Sequence, residues 1–91
     1  MSEPESDPII RQHREAISDN DLKLMQALNK RLELVARLKR YKDTHGVGFV
    51  DPGREEWILS YLQRANRGPA SADGVRDFFT YVLDLTKREV S

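Results

Sequence analysis

An unbroken run without proline or glycine, residues 9–45, restricts the fold of this chain more than any other feature. Pro8 stands before the run, where a helix tolerates proline at its first position, and Asp7 is a candidate N-cap. Gly46 ends the run. The pattern predicts a first helix from about Pro8 to about Thr44, roughly 35 residues or about 50 Å long.

A helix of that length exceeds the width of the domain that carries it. A compact chain of 91 residues has a radius of gyration near 12 Å, which corresponds to a globule about 32 Å across. The projecting turns still contain isoleucine, leucine and valine, which need cover from water. We therefore expect a second copy of the chain to cover them, most simply through a twofold axis.

Two shorter helices are predicted after the glycine break. Asp51 and Pro52 provide an N-cap and a proline start for a helix from about Pro52 to Asn66. The sequence NRGP, which begins at Asn66, is its stop, with the glycine in the left-handed conformation. A third helix opens at Ser71 and carries apolar residues at three- and four-residue spacing up to the ending KREVS. We predict an all-α fold.

The composition limits the partners and the location of the chain. Residues 1–7 are acidic and lack an apolar anchor, so they are predicted to form a disordered leader before a single helical domain, residues 8–91. Lys plus Arg equals Asp plus Glu at 15 each, so no bulk attraction to nucleic acid or to a membrane is expected. The absence of cysteine fits a cytoplasmic protein, and the apolar runs are too short for a membrane span.

The first helix carries charges along a stripe that should be apolar. Alternate steps of four and three residues select a heptad seam that contains three cations and one acid. A structural interpretation is that these charges pair and set the register of helix packing. One acid does not balance three cations, however, and arginine forks beside a lysine suit a small polyanion. The seam residues are Ile10, Arg14, Ile17, Asp21, Leu24, Leu28, Arg31, Val35, Leu38 and Lys42.

The second helix adds a further charged position, and other chemistry is poorly supported. Its first turn offers free backbone N–H groups beside Arg54 and Glu55, which suit anions and hydroxyls unless both side chains are simply solvated. His13 and His45 are about 32 residues apart and cannot share a metal in one chain. No catalytic triad, phosphate loop or close acidic cluster is recognisable. We expect no metal and no cofactor, and a reaction driven by positioned charge.

Four stretches in this order are similar to a known family. They are REAIS at 14–18, NKRLELVARLKRYK at 29–42, VDPGREEWIL at 50–59, and the NRGP stop. Together they resemble the all-helical chorismate mutases from about Ile10 to the end of the chain. The resemblance implies an intertwined homodimer of three-helix protomers with shared active sites. It also implies the rearrangement of chorismate to prephenate in phenylalanine and tyrosine biosynthesis, without a cofactor.

The resemblance assigns the cations to the carboxylates and the ether oxygen of chorismate. It implies that Arg31 binds the side-chain carboxylate together with Arg14 from the other subunit. Lys42 reaches the ether oxygen and a carboxylate, and Arg54 helps to hold the ring carboxylate. These roles agree with the excess of positive charge in the seam.

The resemblance also assigns the ring hydroxyl and a residue pair on the third helix. Glu55 accepts the hydroxyl, and the backbone at Asp51 supports it. Thr86 matches the family's small hydroxyl residue, but the donor expected four residues later is replaced by Val90. Glu89 lies one residue earlier and is the remaining candidate donor to the ether oxygen, which requires its protonated form and a partly buried site.

Other functions remain open at the level of sequence. The same scaffold serves an isochorismate pyruvate lyase or an aminodeoxychorismate mutase. A third interpretation is a non-catalytic helical dimerisation module whose seam cations set register or bind a partner's acidic tail. The departure at Val90 also leaves room for a larger enzyme of the shikimate pathway that docks on this chain and completes the site.

Overall fold

The structure, a computed structural model, describes residues 7–90 of the 91-residue chain. Within that range three α-helices follow one another without a strand: α1 is Pro8–Thr44, α2 is Pro52–Ala65 and α3 is Ala72–Val90. The predicted all-α class with a very long first helix is confirmed. The first six residues of the predicted leader lie outside the described residues. No helix in residues 7–90 is long and apolar enough to cross a membrane.

Local hydrogen bonds determine where α1 begins and ends. The Asp7 carboxylate accepts hydrogen bonds from the backbone N–H groups of Ile9 and Ile10, at 3.0 and 3.2 Å, and so caps the first turn. At the other end, Gly46 adopts a positive φ of 68°, which favours glycine. The N–H of Val47 then returns to the carbonyl of Lys42 at 2.8 Å. The helix therefore ends at its predicted residue.

The chain divides into two compact units, with the division between Glu33 and Leu34. The described part of the first unit is Asp7 followed by residues 8–33 of α1, and no residue of α1 is buried in the single chain. A helix in water is stabilised mainly by packing of its apolar face, so this unit needs a further surface. Its large apolar side chains with exposures of 50 to 61% are Ile9, Ile17, Leu22, Leu24 and Met25.

The second unit has its own core, in which α2 packs against α3. Leu59 from α2 and Val82 and Thr86 from α3 are buried, with exposures of 5 to 7%. The Gln63 amide, late in α2, donates to the Ala72 carbonyl at the start of α3 at 3.0 Å. The two helices are therefore antiparallel, as expected for a short connection.

The ends of α2 and α3 differ from the prediction by one residue. Asn66, predicted as the last residue of α2, is instead its C-cap with extended backbone (ψ 133°), and its N–H donates to the Leu62 carbonyl. Gly68 beyond it has the expected positive φ, 77°. Ser71, predicted as the first residue of α3, lies before it and accepts the Gly74 N–H at 2.9 Å. The extended backbone of Asn66 therefore ends α2, and the Ser71 side chain caps the first turn of α3.

Candidate active site

Three of the predicted site residues, Asp51, Arg54 and Glu55, lie together at the capped first turn of α2. Asp51 is the N-cap: its carboxylate accepts the Arg54 N–H at 3.1 Å, and its carbonyl accepts the Glu55 N–H at 3.0 Å. The Arg54 guanidinium lies 4.3 Å from the centroid of the Trp57 ring, a cation–π contact. Trp57 stacks in turn on Tyr61, with 5.1 Å between ring centroids. Arg54 is thus held against an aromatic surface.

Glu55 is connected to the end of α3 by an ion pair. The Lys87 ammonium lies 3.4 Å from Oε1 and 3.3 Å from Oε2 of Glu55, whose side chain is 28% exposed. Lys87 follows Thr86, which is buried and donates from Oγ1 to the Val82 carbonyl at 2.7 Å. The pair therefore brings the segment that carries Thr86 to the first turn of α2.

Lys42 is half-buried and forms a hydrogen bond to the segment that connects α1 and α2. Its Nζ donates to the Phe49 carbonyl at 3.4 Å, a long hydrogen bond. Lys39, one turn earlier, lies with its Nζ 5.7 Å from the centroid of the Phe49 ring. An ammonium has three donors, so the contact of Lys42 with Phe49 leaves capacity for oxygens of a ligand.

Arg31 and Arg14 both lie in the first unit but far apart on the helix. Arg31 is half-buried, and burial lowers the pKa of its guanidinium, which remains charged at neutral pH. Arg14 is exposed, in a surface depression of about 270 Å³ formed by side chains of α1 alone. Arg31 lies 17 positions after Arg14, a separation of about 25 Å along the helix. A small ligand can therefore contact Arg14 and Arg31 together only if the two residues come from different chains.

Glu89 and Val90, at the end of α3, differ in how far their side chains are exposed. The Glu89 side chain is 53% exposed, and its Oε2 lies 4.0 Å from Nε of Arg88. Val90 is half-buried and follows Thr86 by four residues, the spacing of one helix face. Glu89 therefore lacks, in the single chain, the partly buried surroundings that its predicted role requires, and that role stays a prediction.

Comparison with known proteins identifies the family to which these features belong. Residues 13–90 match the family model described as chorismate mutase type II. The chain belongs to that family. The resemblance inferred from the four sequence stretches is confirmed, and family membership makes the chain a chorismate mutase, an isomerase.

Two solved structures support the assignment to the chorismate mutases. Form II of the chorismate mutase from Thermus thermophilus is 26% identical, with a TM-score of 0.85 over 89% of this chain and 92% of that chain. Form I of the chorismate mutase from the same organism is 27% identical, with a TM-score of 0.83 over 85% of this chain and 96% of that chain. A comparison with curated proteins found no significant match.

Two residues at the candidate chorismate site were missed by sequence reasoning. Trp57 follows Arg54 by three residues, a helical spacing that could have indicated the stacking. The pairing of Lys87 with Glu55 joins residues 32 positions apart, so it becomes visible only when α2 and α3 are packed. Among residues 7–90, no three histidine, aspartate or glutamate side chains come together as a metal site.

Proposed function

We propose that the chain rearranges chorismate to prephenate on a site built from the first turn of α2, the end of α3 and the cations of α1. In this reaction a carbon–oxygen bond breaks while a carbon–carbon bond forms within one molecule, so atoms and electrons balance without a second reactant. The enzyme must hold a dicarboxylate in its compact reactive conformer and stabilise the negative charge that develops on the ether oxygen. The observation that carries this proposal is the capped turn that presents Arg54 beside Glu55.

The cations bind the two carboxylates and the ether oxygen in this proposal. Arg31 and Arg14 of the partner subunit hold the side-chain carboxylate, because a guanidinium fork matches a carboxylate in two parallel hydrogen bonds. Arg54 contributes to binding the ring carboxylate, and its stacking on Trp57 restricts the guanidinium before the substrate arrives. Lys42 donates to the ether oxygen and to a carboxylate with the donors that Phe49 does not occupy.

The ring hydroxyl and the third helix complete the proposed site. Glu55 accepts a hydrogen bond from the ring hydroxyl, supported by the backbone at Asp51, and Thr86 lines the same end of the α2 and α3 pair. Glu89 would donate to the ether oxygen only under a cover that removes it from water, because its side chain is half exposed in the single chain. We propose the second protomer, or a docking enzyme of the shikimate pathway, as that cover.

The assembly that we propose is an intertwined homodimer in the cytoplasm, with residues 8–91 as one domain of each protomer. Two observations support the dimer: no residue of α1 is buried in the single chain, and Arg14 and Arg31 are too distant on α1 to meet one ligand. The cysteine-free composition supports a reducing compartment. Phenylalanine and tyrosine biosynthesis is the pathway that uses the product.

Conversion of chorismate by the purified chain tests the function directly. We expect prephenate to form, measured by loss of chorismate absorbance and by product analysis, and we expect a folded Lys42→Ala variant to form very little. Parallel incubations with isochorismate and aminodeoxychorismate compare the rival activities on the same protein. Pyruvate release from isochorismate without prephenate from chorismate would assign the lyase activity instead. A folded dimer that converts none of the three substrates would leave the non-catalytic dimerisation module as the remaining interpretation.

A further inference from the structure

The ion pair between α3 and α2 involves a residue to which the proposed mechanism gives no role. The Lys87 ammonium contacts both carboxylate oxygens of Glu55, at 3.4 and 3.3 Å. Asp84, one turn earlier on α3, lies with Oδ1 3.7 Å from the same ammonium. The Lys87 side chain is 37% exposed and that of Glu55 is 28% exposed, so the pair lies at the rim of the helix pair and remains accessible to a ligand.

The position of the ammonium restricts what else Glu55 can bind. A carboxylate offers about four lone-pair positions, and one ammonium close to both oxygens leaves positions free for another donor. A neutral hydroxyl can donate to such a position without electrostatic cost. A second ammonium beside the first would meet a like charge across a few ångströms, which is unfavourable even at a partly solvated site. The Glu55 subsite, as built, therefore favours a neutral donor over a cationic one.

We propose that Lys87 is a specificity-determining residue: it positions the Glu55 carboxylate and makes its subsite prefer a ring hydroxyl to a protonated ring amine. The inference rests on the proposed function, in which Glu55 accepts the ring hydroxyl of chorismate. Lys87 itself does not touch the substrate; it acts through Glu55. The chemical pair that it distinguishes is chorismate and aminodeoxychorismate, whose aliphatic amine is protonated near neutral pH.

The experiment measures the preference between these two substrates in matched variants. Lys87→Met removes the charge and keeps the aliphatic stem, whereas Lys87→Arg keeps the charge. Arg76→Met is the control, because Arg76 forms another α3-to-α2 ion pair, with Glu56 at 2.6 Å, that involves no proposed site residue. Where turnover of the amine is too slow to follow, its affinity is measured as competitive inhibition of chorismate turnover.

Lys87→Met should lower kcat/KM for chorismate by about tenfold, mainly through a higher KM, because Glu55 loses its orientation. The preference for chorismate over the amine should fall by about tenfold or more, since the repelling charge is gone. Lys87→Arg should stay within about threefold of the parental protein in both measurements. Arg76→Met should change neither kcat/KM nor the preference.

A double variant tests whether Lys87 acts through Glu55. In a Glu55→Gln background, the further change Lys87→Met should cost little, because the residue that Lys87 positions has already lost its charge. Losses that multiply instead would show that Lys87 acts on the substrate directly and would overturn the positioning role. Thermal unfolding confirms that each variant is folded, and Lys87→Gln replaces Lys87→Met if the latter is not.

The outcomes separate this inference from the proposed function. If the parental protein forms prephenate but Lys87→Met keeps the parental preference, the inference about Lys87 fails and the proposed function stands. If the parental protein forms no prephenate, the proposed function fails, and the role of Lys87 fails with it.

Discussion

The two units of the chain differ in whether each buries apolar side chains in a core of its own. The described part of the first unit, residues 7–33, is helical from Pro8 onward and has no buried residue, and it carries Arg14 and Arg31. The second unit buries Leu59 and Val82 between α2 and α3 and connects these helices by ion pairs. The second unit therefore arranges its part of the proposed site within one chain, whereas the proposed dimer assigns the cover of the first unit to another copy.

Replacement of Lys42 should have the largest effect and tests the chemistry assigned to the second unit. Lys42→Ala should lower turnover by about two to three decades, because its contact with the ether oxygen forms mainly in the transition state. Substrate affinity should suffer less than turnover. Lys39→Ala is the matched control, since Lys39 also lies near Phe49 but pairs with Asp43. Near-parental turnover in a folded Lys42→Ala protein would remove the proposed mechanism.

A charge on the exposed seam of the first unit should disrupt the assembly. Leu24 is 51% exposed in the single chain and lies on the heptad seam. Leu24→Lys should weaken the dimer by about a hundredfold or more, because an unpaired ammonium would be buried at the interface. Sedimentation velocity over a range of concentrations measures the change. Asn20→Lys adds the same charge off the seam, and equal dimer strength in both variants would contradict the predicted interface.

Complementation between variants tests whether the first unit serves a neighbouring site. Arg14→Ala and Arg31→Ala homodimers should each be nearly inactive, because each damages both of its sites. In a mixed dimer one site collects both changes and the other none. Random reassembly makes about half the dimers mixed, so roughly a quarter of parental activity should return after co-unfolding and refolding. Mixed dimers seen by native mass spectrometry without recovered activity would place both arginines in a single-chain site.

Replacement of Glu89 tests whether the assembly completes the site at the end of the second unit. If Glu89 donates to the ether oxygen, Glu89→Ala should lower turnover severalfold, because a donor to the developing charge is lost. Glu89→Gln should keep activity, because the amide also donates a hydrogen bond. Steady-state turnover of chorismate by the three proteins provides the measurement. Parental turnover in Glu89→Ala would leave Glu89 as an exposed residue without a role in the reaction.

The smallest expected effect concerns an ion pair inside the second unit. The hydrogen bond and positive charge of Arg76 lower the pKa of Glu56, so this pair contributes stability above the ordinary carboxylate range and loses it as pH falls through the lowered value. Arg76→Met should lower the melting temperature by a few degrees or less at neutral pH, with the difference vanishing in acid. Arg67→Met, in the exposed turn, is the control. A difference that persists in acid would assign the effect to packing.

Local sequence determined the helices and their ends to within one residue. Asp7, Asp51, Gly46 and Gly68 act on backbone groups a few positions away, so their effect can be inferred without a fold. The order and spacing of the charged stretches likewise indicated the family without knowledge of any tertiary contact. The helix ends and the family, which depend on local residues and their spacing, were therefore predicted from the sequence alone.

Tertiary structure decided which side chains meet across helices. The pairs Glu55 with Lys87 and Glu56 with Arg76 join residues of α2 to residues of α3, and sequence spacing within either helix contains no information on them. A helix turns by about 100° per residue, so a small rotation between two packed helices exchanges one partner for the next. The turn of about 100° between successive residues also explains why Glu89 is exposed while the next residue, Val90, is half-buried. These contacts follow from how α2 and α3 pack, which the pattern of either helix by itself does not determine.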